Sequence, residues 1–87
     1  MTPIELKNKL DDLLKSYIKQ KGFYSSGKLY RSINFEVDNN GIVNLNSLEY
    51  IQFLDGDKFL PSFFNTKEFN DLMTQFYIEL IESKLNF

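Results

Sequence analysis

The chain has 87 residues, a formal net charge of −2, and neither Cys nor His. That length leaves room for one core, and no Pro/Gly/Ser-rich stretch divides it, so residues 1–87 read as a single domain. Without Cys there is no disulfide framework or thiolate metal site, and without His the commonest general base is gone too, so most enzyme mechanisms are set aside and no cofactor is expected.

Thr2, Pro3 and Glu5 supply an N-cap, a first-turn proline and a capping-box acid ahead of apolar residues at Ile4, Leu6, Leu10, Leu13, Leu14, Tyr17 and Ile18. This predicts an amphipathic helix over Pro3 to Lys21, with Lys19 and Lys21 in its last turn and Gly22 just past its end. Ser25 or Ser26 is then placed to cap a short helix reaching about Ser32, with Leu29 and Ile33 four residues apart. Ile33, Phe35 and Val37 alternate with Asn34 and Glu36. Asp38-Asn39-Asn40-Gly41 is rich in residues that tolerate positive φ, and Ile42 to Leu45 resumes an extended pattern, so a β-hairpin is expected.

Leu48, Ile51 and Leu54 fall at helical spacing, with Asn46 or Ser47 as the cap, before Asp55-Gly56-Asp57 breaks the pattern. Lys58 to Phe64 holds Pro61 and four large apolar residues with no regular period, and is expected to be a loop. Asn65 with Glu68 makes a second capping-box pattern, followed by Phe69, Leu72, Met73, Phe76, Tyr77, Leu80, Ile81 and Leu85 on a 3.6-residue stripe. The expected fold is α+β: two long amphipathic helices on a small antiparallel hairpin, with one or two short helices.

No stretch approaches the roughly 20 apolar residues that span a bilayer, and no signal-like apolar run opens the chain, so an intracellular, soluble protein without membrane contact is expected. Nine Asn, nine Lys and no Ala or Trp are the skew that AT-rich codons produce. Residues 1–31 carry seven basic and three acidic groups, whereas residues 32–87 carry three basic and nine acidic. Subunits meeting unlike end to unlike end would produce such asymmetry; so would two solvated faces of opposite sign. A chain this short buries only roughly 60% of its unfolded surface, a margin that oligomerisation would raise.

Few residues suggest chemistry. Asp55 and Asp57 flank Gly56 like the start of a calcium loop, but the twelfth position is Thr66 instead of the bidentate Glu, and a plain turn accounts for them. Ser26-Gly27-Lys28 lacks the earlier glycine and the strand-before-helix setting of a phosphate loop, and a Ser25 or Ser26 pair with Lys28 is equally explained by a cap beside a solvated lysine. Lys19, Lys21, Lys28 and Arg31 interleave with Phe23, Tyr24 and Tyr30 as cations and rings do on single-stranded nucleic acid, yet an isoelectric point near 5.0 lacks the basic footprint of an autonomous binder. Phe59, Phe63 and Phe64 have two readings, as core filler beneath the helices or as anchors for a partner.

At Ser26-Gly27-Lys28-Leu29-Tyr30-Arg31-Ser32-Ile33 the chain resembles tail-completion or head–tail joining proteins of tailed bacteriophages. In that family a helix leads into a small-Gly-x-Leu-x-x-Ser-Ile segment, then a hairpin, an aromatic pair ahead of a glycine (here Tyr50, Phe53 and Gly56), a proline (Pro61) and a closing helix. Independently of the resemblance, Ser26 can cap, Gly27 permits close packing, Leu29 and Ile33 suit a core, and Ser32 can bond local backbone.

The resemblance implies a virion structural protein, made in the host cytoplasm, that joins its neighbours heterologously in a cyclic homo-oligomer at the neck or tail end. Its partners would be the connector and the tail tube or tail terminator, with at most non-specific contact to DNA in a lumen. Tyr50, Phe53, Phe59, Phe63 and Phe64 are then interface candidates, and Lys19, Lys21, Lys28 and Arg31 candidates for the lumen or for acidic surfaces. The rival is a small phage-encoded interaction or inhibitor protein that masks a host or phage partner without forming a ring; a nucleic-acid accessory and a small enzyme are further alternatives.

Overall fold

Helix α1 spans Pro3–Gln20 in the computed structural model, which describes residues 1–23 and 27–85. Its start follows from local chemistry: Thr2 Oγ1 accepts from the Glu5 amide at 3.1 Å, and Pro3 stands in the first turn, where its missing N–H costs nothing. Gly22, at φ +81°, turns the chain out of the helix. Leu6, Leu10, Leu14 and Ile18, each four residues on from the last, are fully buried and form the seam on which the rest of the chain packs.

Tyr24, Ser25 and Ser26 lie outside the described residues, and with them the serine cap expected for the next helix. In α2 (Lys28–Ser32) the N-cap position belongs to Gly27, a buried residue at φ +76°, and no side chain caps there. Ser32 Oγ donates to Leu29 O at 2.7 Å and accepts from the Leu48 amide at 3.2 Å, which ties α2 to the chain leaving the hairpin.

Strands β1 (Asn34–Val37) and β2 (Val43–Asn46) form a two-stranded antiparallel sheet in which Phe35 faces Leu45 and Val37 faces Val43. These four residues alternate with exposed polar ones, so a single face of the sheet turns toward α1. Ile33 and Ile42 fall just outside the strands. In the turn, Asp38 Oδ1 accepts from the amides of Asn40 (2.8 Å) and Ile42 (3.0 Å), and Gly41 adopts φ +86°. A Cβ on Gly41 would stand 2.9 Å from Leu80 Cδ2 and 3.2 Å from Tyr77 Cε1. Gly41→Ala is therefore expected to cost about 1–3 kcal/mol in urea denaturation, from left-handed backbone strain and from displacing those side chains.

The segment after β2 is a 3-10 helix, Glu49–Phe53. Neither Asn46 nor Ser47 caps it; Leu48 holds the N-cap position, and its amide is already satisfied by Ser32. The expected loop at Lys58 to Phe64 is instead helix α3, Phe59–Phe64. Pro61 is compatible because it sits in the first turn, where backbone N–H groups have no intrahelical acceptor. Helix α4, Lys67–Leu85, begins one residue later than the Asn65 pattern suggested. The Asn65 amide is used to close α3, donating to Pro61 O and Ser62 O, and Thr66 Oγ1 accepts from the Phe69 amide at 3.3 Å.

The protein is an α+β fold in which α1 packs against β1 on one hand and an antiparallel α4 on the other. The core is Leu6, Leu10, Leu14 and Ile18 with Leu29, Ile33, Phe35, Ile51, Phe59, Phe63 and Phe76. Among the described residues one charged residue joins it: Asp11, 8% exposed, accepts from the Phe35 amide through Oδ1 at 2.7 Å and pairs with Lys7 through Oδ2. The molecule is elongated, 49 × 21 × 17 Å. Among the described residues, no helix is long and apolar enough to cross a membrane.

Candidate protein–protein interface

The aromatic candidates separate into two groups. A 3-10 helix has three residues per turn, so Tyr50 and Phe53 share one face and Ile51 takes another. Ile51 enters the core, whereas Tyr50 and Phe53 are 46% and 67% exposed. The turn that follows carries three consecutive left-handed residues, Asp55, Gly56 and Asp57, and is closed by the Lys58 amide on Asp55 O at 3.2 Å. Among the described residues no group of three or more Asp or Glu could hold a metal ion, and Asp55 and Asp57 serve this turn.

Phe59 and Phe63 are not on this surface. Formation of α3 places them four residues apart on one side of a helix, and both are buried, with ring centroids 5.3 and 5.5 Å from that of Tyr17. Tyr17 is fixed there by a 2.6 Å hydrogen bond between its hydroxyl and Ser62 Oγ. As interface anchors they are corrected to core. Phe64 lies at the edge of the cluster, half in contact with Phe69 (5.1 Å) and half exposed.

Of the cationic candidates, Lys19, Lys28 and Arg31 lie where α2 meets the last turns of α1. Lys19 Nζ stands 4.8 Å from the centroid of the Tyr30 ring, and Lys15 Nζ, which the sequence reading did not select, stands 5.4 Å from it. The spacing of Lys15 and Lys19, one helical turn apart, is the signal that could have found it. Lys21 instead lies over Tyr17 at 5.3 Å, and Lys28 and Arg31 are exposed on α2. Ser26 and Tyr24 are outside the described residues. Of the rest of the Ser-Gly-x-Leu-x-x-Ser-Ile segment, Gly27, Leu29 and Ile33 are buried and Ser32 makes the two hydrogen bonds given above.

A second apolar surface was not separated from the core stripe by sequence reading. Phe76 points inward from α4, with Phe69, Leu72, Met73 and Leu80 half-buried beside it. Ile78, Ile81 and Leu85 lie about 140–200° around the helix from Phe76, at about 100° per residue, and Tyr77 about 100° from it. They are exposed, Ile81 at 57% and Leu85 at 69%.

The Tyr77 hydroxyl donates to Gly41 O at 3.1 Å, which anchors the hairpin turn on this helix. Nearby, the Met1 ammonium donates to Glu79 Oε1 at 2.8 Å. That hydrogen bond holds the Glu79 carboxyl below the usual carboxylate range, against a smaller opposing effect of burial. Met1, Asn39, Phe76, Glu79 and Leu80 line an open groove of about 650 Å³ at this end.

Comparison of the chain with protein-family models, with curated proteins and with solved structures finds no match in any of the three.

Proposed function

We propose that the chain is a virion structural protein of the neck or tail end of a tailed phage, a tail-completion or head–tail joining adaptor that forms a ring between connector and tail. The observation that supports this reading is the position of Tyr50 and Phe53. The aromatic pair ahead of Gly56, one element of the pattern that carries the resemblance, stands on the surface, whereas Phe35, Phe59, Phe63 and Phe76 fill the core. Exposed rings beside a tightly turned, polar segment suit an anchor inserted into a neighbour. Lys28 and Arg31, on the adjoining α2, would meet either an acidic neighbour or DNA passing through the ring.

Light scattering over a concentration series, with negative-stain imaging, tests the reading. Rings of the chain alone, or rings that form once connector or tail protein is added, are the expected result. A strict monomer or closed dimer without affinity for virion components would overturn it and favour an inhibitor that acts by masking a partner. Replacing Tyr50 and Phe53 together by Ser is expected to weaken association tenfold or more while leaving the far-UV circular dichroism and melting profile close to those of the parent, since both side chains are largely outside the core.

A further inference from the structure

Of the nine Asn in the chain, Asn40 alone precedes a glycine. In any Asn-X sequence the backbone nitrogen of X and the Asn Cγ are one bond short of a five-membered ring, and the side chain of X obstructs its closure. Glycine carries no such obstruction.

The fold itself requires Gly41. Its φ of +86° is left-handed, and a Cβ there would stand 2.9 Å from Leu80 Cδ2 and 3.2 Å from Tyr77 Cε1. No comparable constraint acts on the Asn40 side chain, which is exposed and makes no hydrogen bond among the described residues, so its carboxamide can turn onto the Gly41 nitrogen. Four hydrogen bonds close the turn: Asn40 and Ile42 amides on Asp38 Oδ1 (2.8 and 3.0 Å), the Asp38 amide on Ile42 O (3.1 Å), and the Gly41 amide on Asp38 O (3.2 Å). The longest of them holds the nitrogen that would react.

We infer that Asn40 is a site of spontaneous covalent modification, with water as the only co-reactant, and that the anchoring of the turn on α4 sets its rate. The Gly41 nitrogen, its proton taken by solvent base, bonds to Asn40 Cγ. The Cγ–Nδ2 bond breaks, and Nδ2 takes up a proton and leaves as ammonia, which produces a cyclic imide. Water then opens the ring at either carbonyl. Attack at Cγ leaves Asp at position 40, whereas attack at the backbone carbonyl routes the main chain through the side chain as an isoaspartyl linkage, one carbon longer. No oxidant or reductant enters.

Ring closure consumes the Gly41 N–H, so its bond to Asp38 O must open first. Opening is opposed by the Tyr77 hydroxyl, which holds Gly41 O at 3.1 Å, and by Asp38 Oδ1, which holds the amides on either side of Gly41. Both products alter the surface at this end of the molecule. Asp adds a carboxylate two residues from Asp38, and the isoaspartyl linkage lengthens the turn that Tyr77 anchors.

The test incubates the full chain in mildly acidic and mildly alkaline buffer and follows each Asn by peptide mass spectrometry, with isoaspartate methyltransferase as the probe for the longer linkage. Asn40 is expected to convert roughly tenfold or more ahead of every other Asn, and faster in the alkaline buffer. Asn40→Ser is expected to abolish the conversion with an unchanged melting profile. Tyr77→Phe keeps the ring beside Phe76 and loses only the hydroxyl. Checked by circular dichroism to be folded, it is expected to convert about twofold to tenfold faster than the parent, the worth of one hydrogen bond in an opening equilibrium.

A folded parent whose Asn40 stays intact over the time that converts the same chain in urea would overturn the inference, as would conversion of Asn39 or Asn46 at the rate of Asn40. Equal rates in the parent and in Tyr77→Phe would overturn the role given to the anchor.

Discussion

Phe63→Ala is expected to lower the stability of the protein by about 3–5 kcal/mol, read as a shift in the urea midpoint at unchanged slope. Phe63 is 1% exposed, and its ring meets those of Tyr17, Phe64 and Phe69 at 5.3–5.5 Å. Truncation therefore removes a buried ring and opens a cavity where α3 joins α1 to α4. An 87-residue domain has about 4–13 kcal/mol in total, so the variant should be largely unfolded at moderate temperature. Phe64→Ala, one residue on and partly in solvent, is expected to cost about 1 kcal/mol or less. Equal losses from the two substitutions would show that α3 does not bury one ring in preference to the other.

Asp11→Ala should be the second large effect, about 2–3 kcal/mol. Asp11 Oδ1 accepts the buried Phe35 amide of β1, and its Oδ2 holds Lys7. Alanine leaves a buried N–H without an acceptor. Asp11→Asn keeps an oxygen of the same reach and loses only the charge, so about 1 kcal/mol is expected. Amide hydrogen exchange at Phe35 checks the cause directly: its protection should fall further in the alanine variant than the global stability does. A Phe35 amide as protected in Asp11→Ala as in the parent would mean that β1 is held by other means.

The elements that were legible in the sequence are those whose determinants are close together along the chain. Thr2, Pro3 and Glu5 announce α1, and Leu6, Leu10, Leu14 and Ile18 define its buried seam at one-turn spacing. Alternation at Phe35 and Val37 and the turn-forming run Asp38 to Gly41 specify the hairpin, and α4 is long enough for its period to be unmistakable.

Tertiary structure decided the rest. α3 is six residues, too short for a periodicity to register, and Phe59 and Phe63 turn inward because Tyr17 and Phe69 offer them a pocket. Thr66 caps α4 in place of Asn65 because Asn65 is the C-cap of α3, at φ −96° and ψ 1°, and lacks the extended backbone of an N-cap. Asp11 reads as one more charge on an amphipathic helix until β1 brings an amide to it.

The division of α4 into two faces likewise depends on where its neighbours stop. A stripe of apolar residues in sequence records which side chains avoid water, but not how many of them this chain can cover. Here α1, α3 and the hairpin turn cover Phe76 and its inward neighbours and leave Ile78, Ile81 and Leu85 in solvent. Local chemistry determines where helices and turns form, because caps, periods and left-handed positions act over a few residues. Which faces are core and which are open to a partner is set by contacts between residues far apart in the chain, such as Tyr77 with Gly41 and Tyr17 with Ser62, whose proximity exists only after folding.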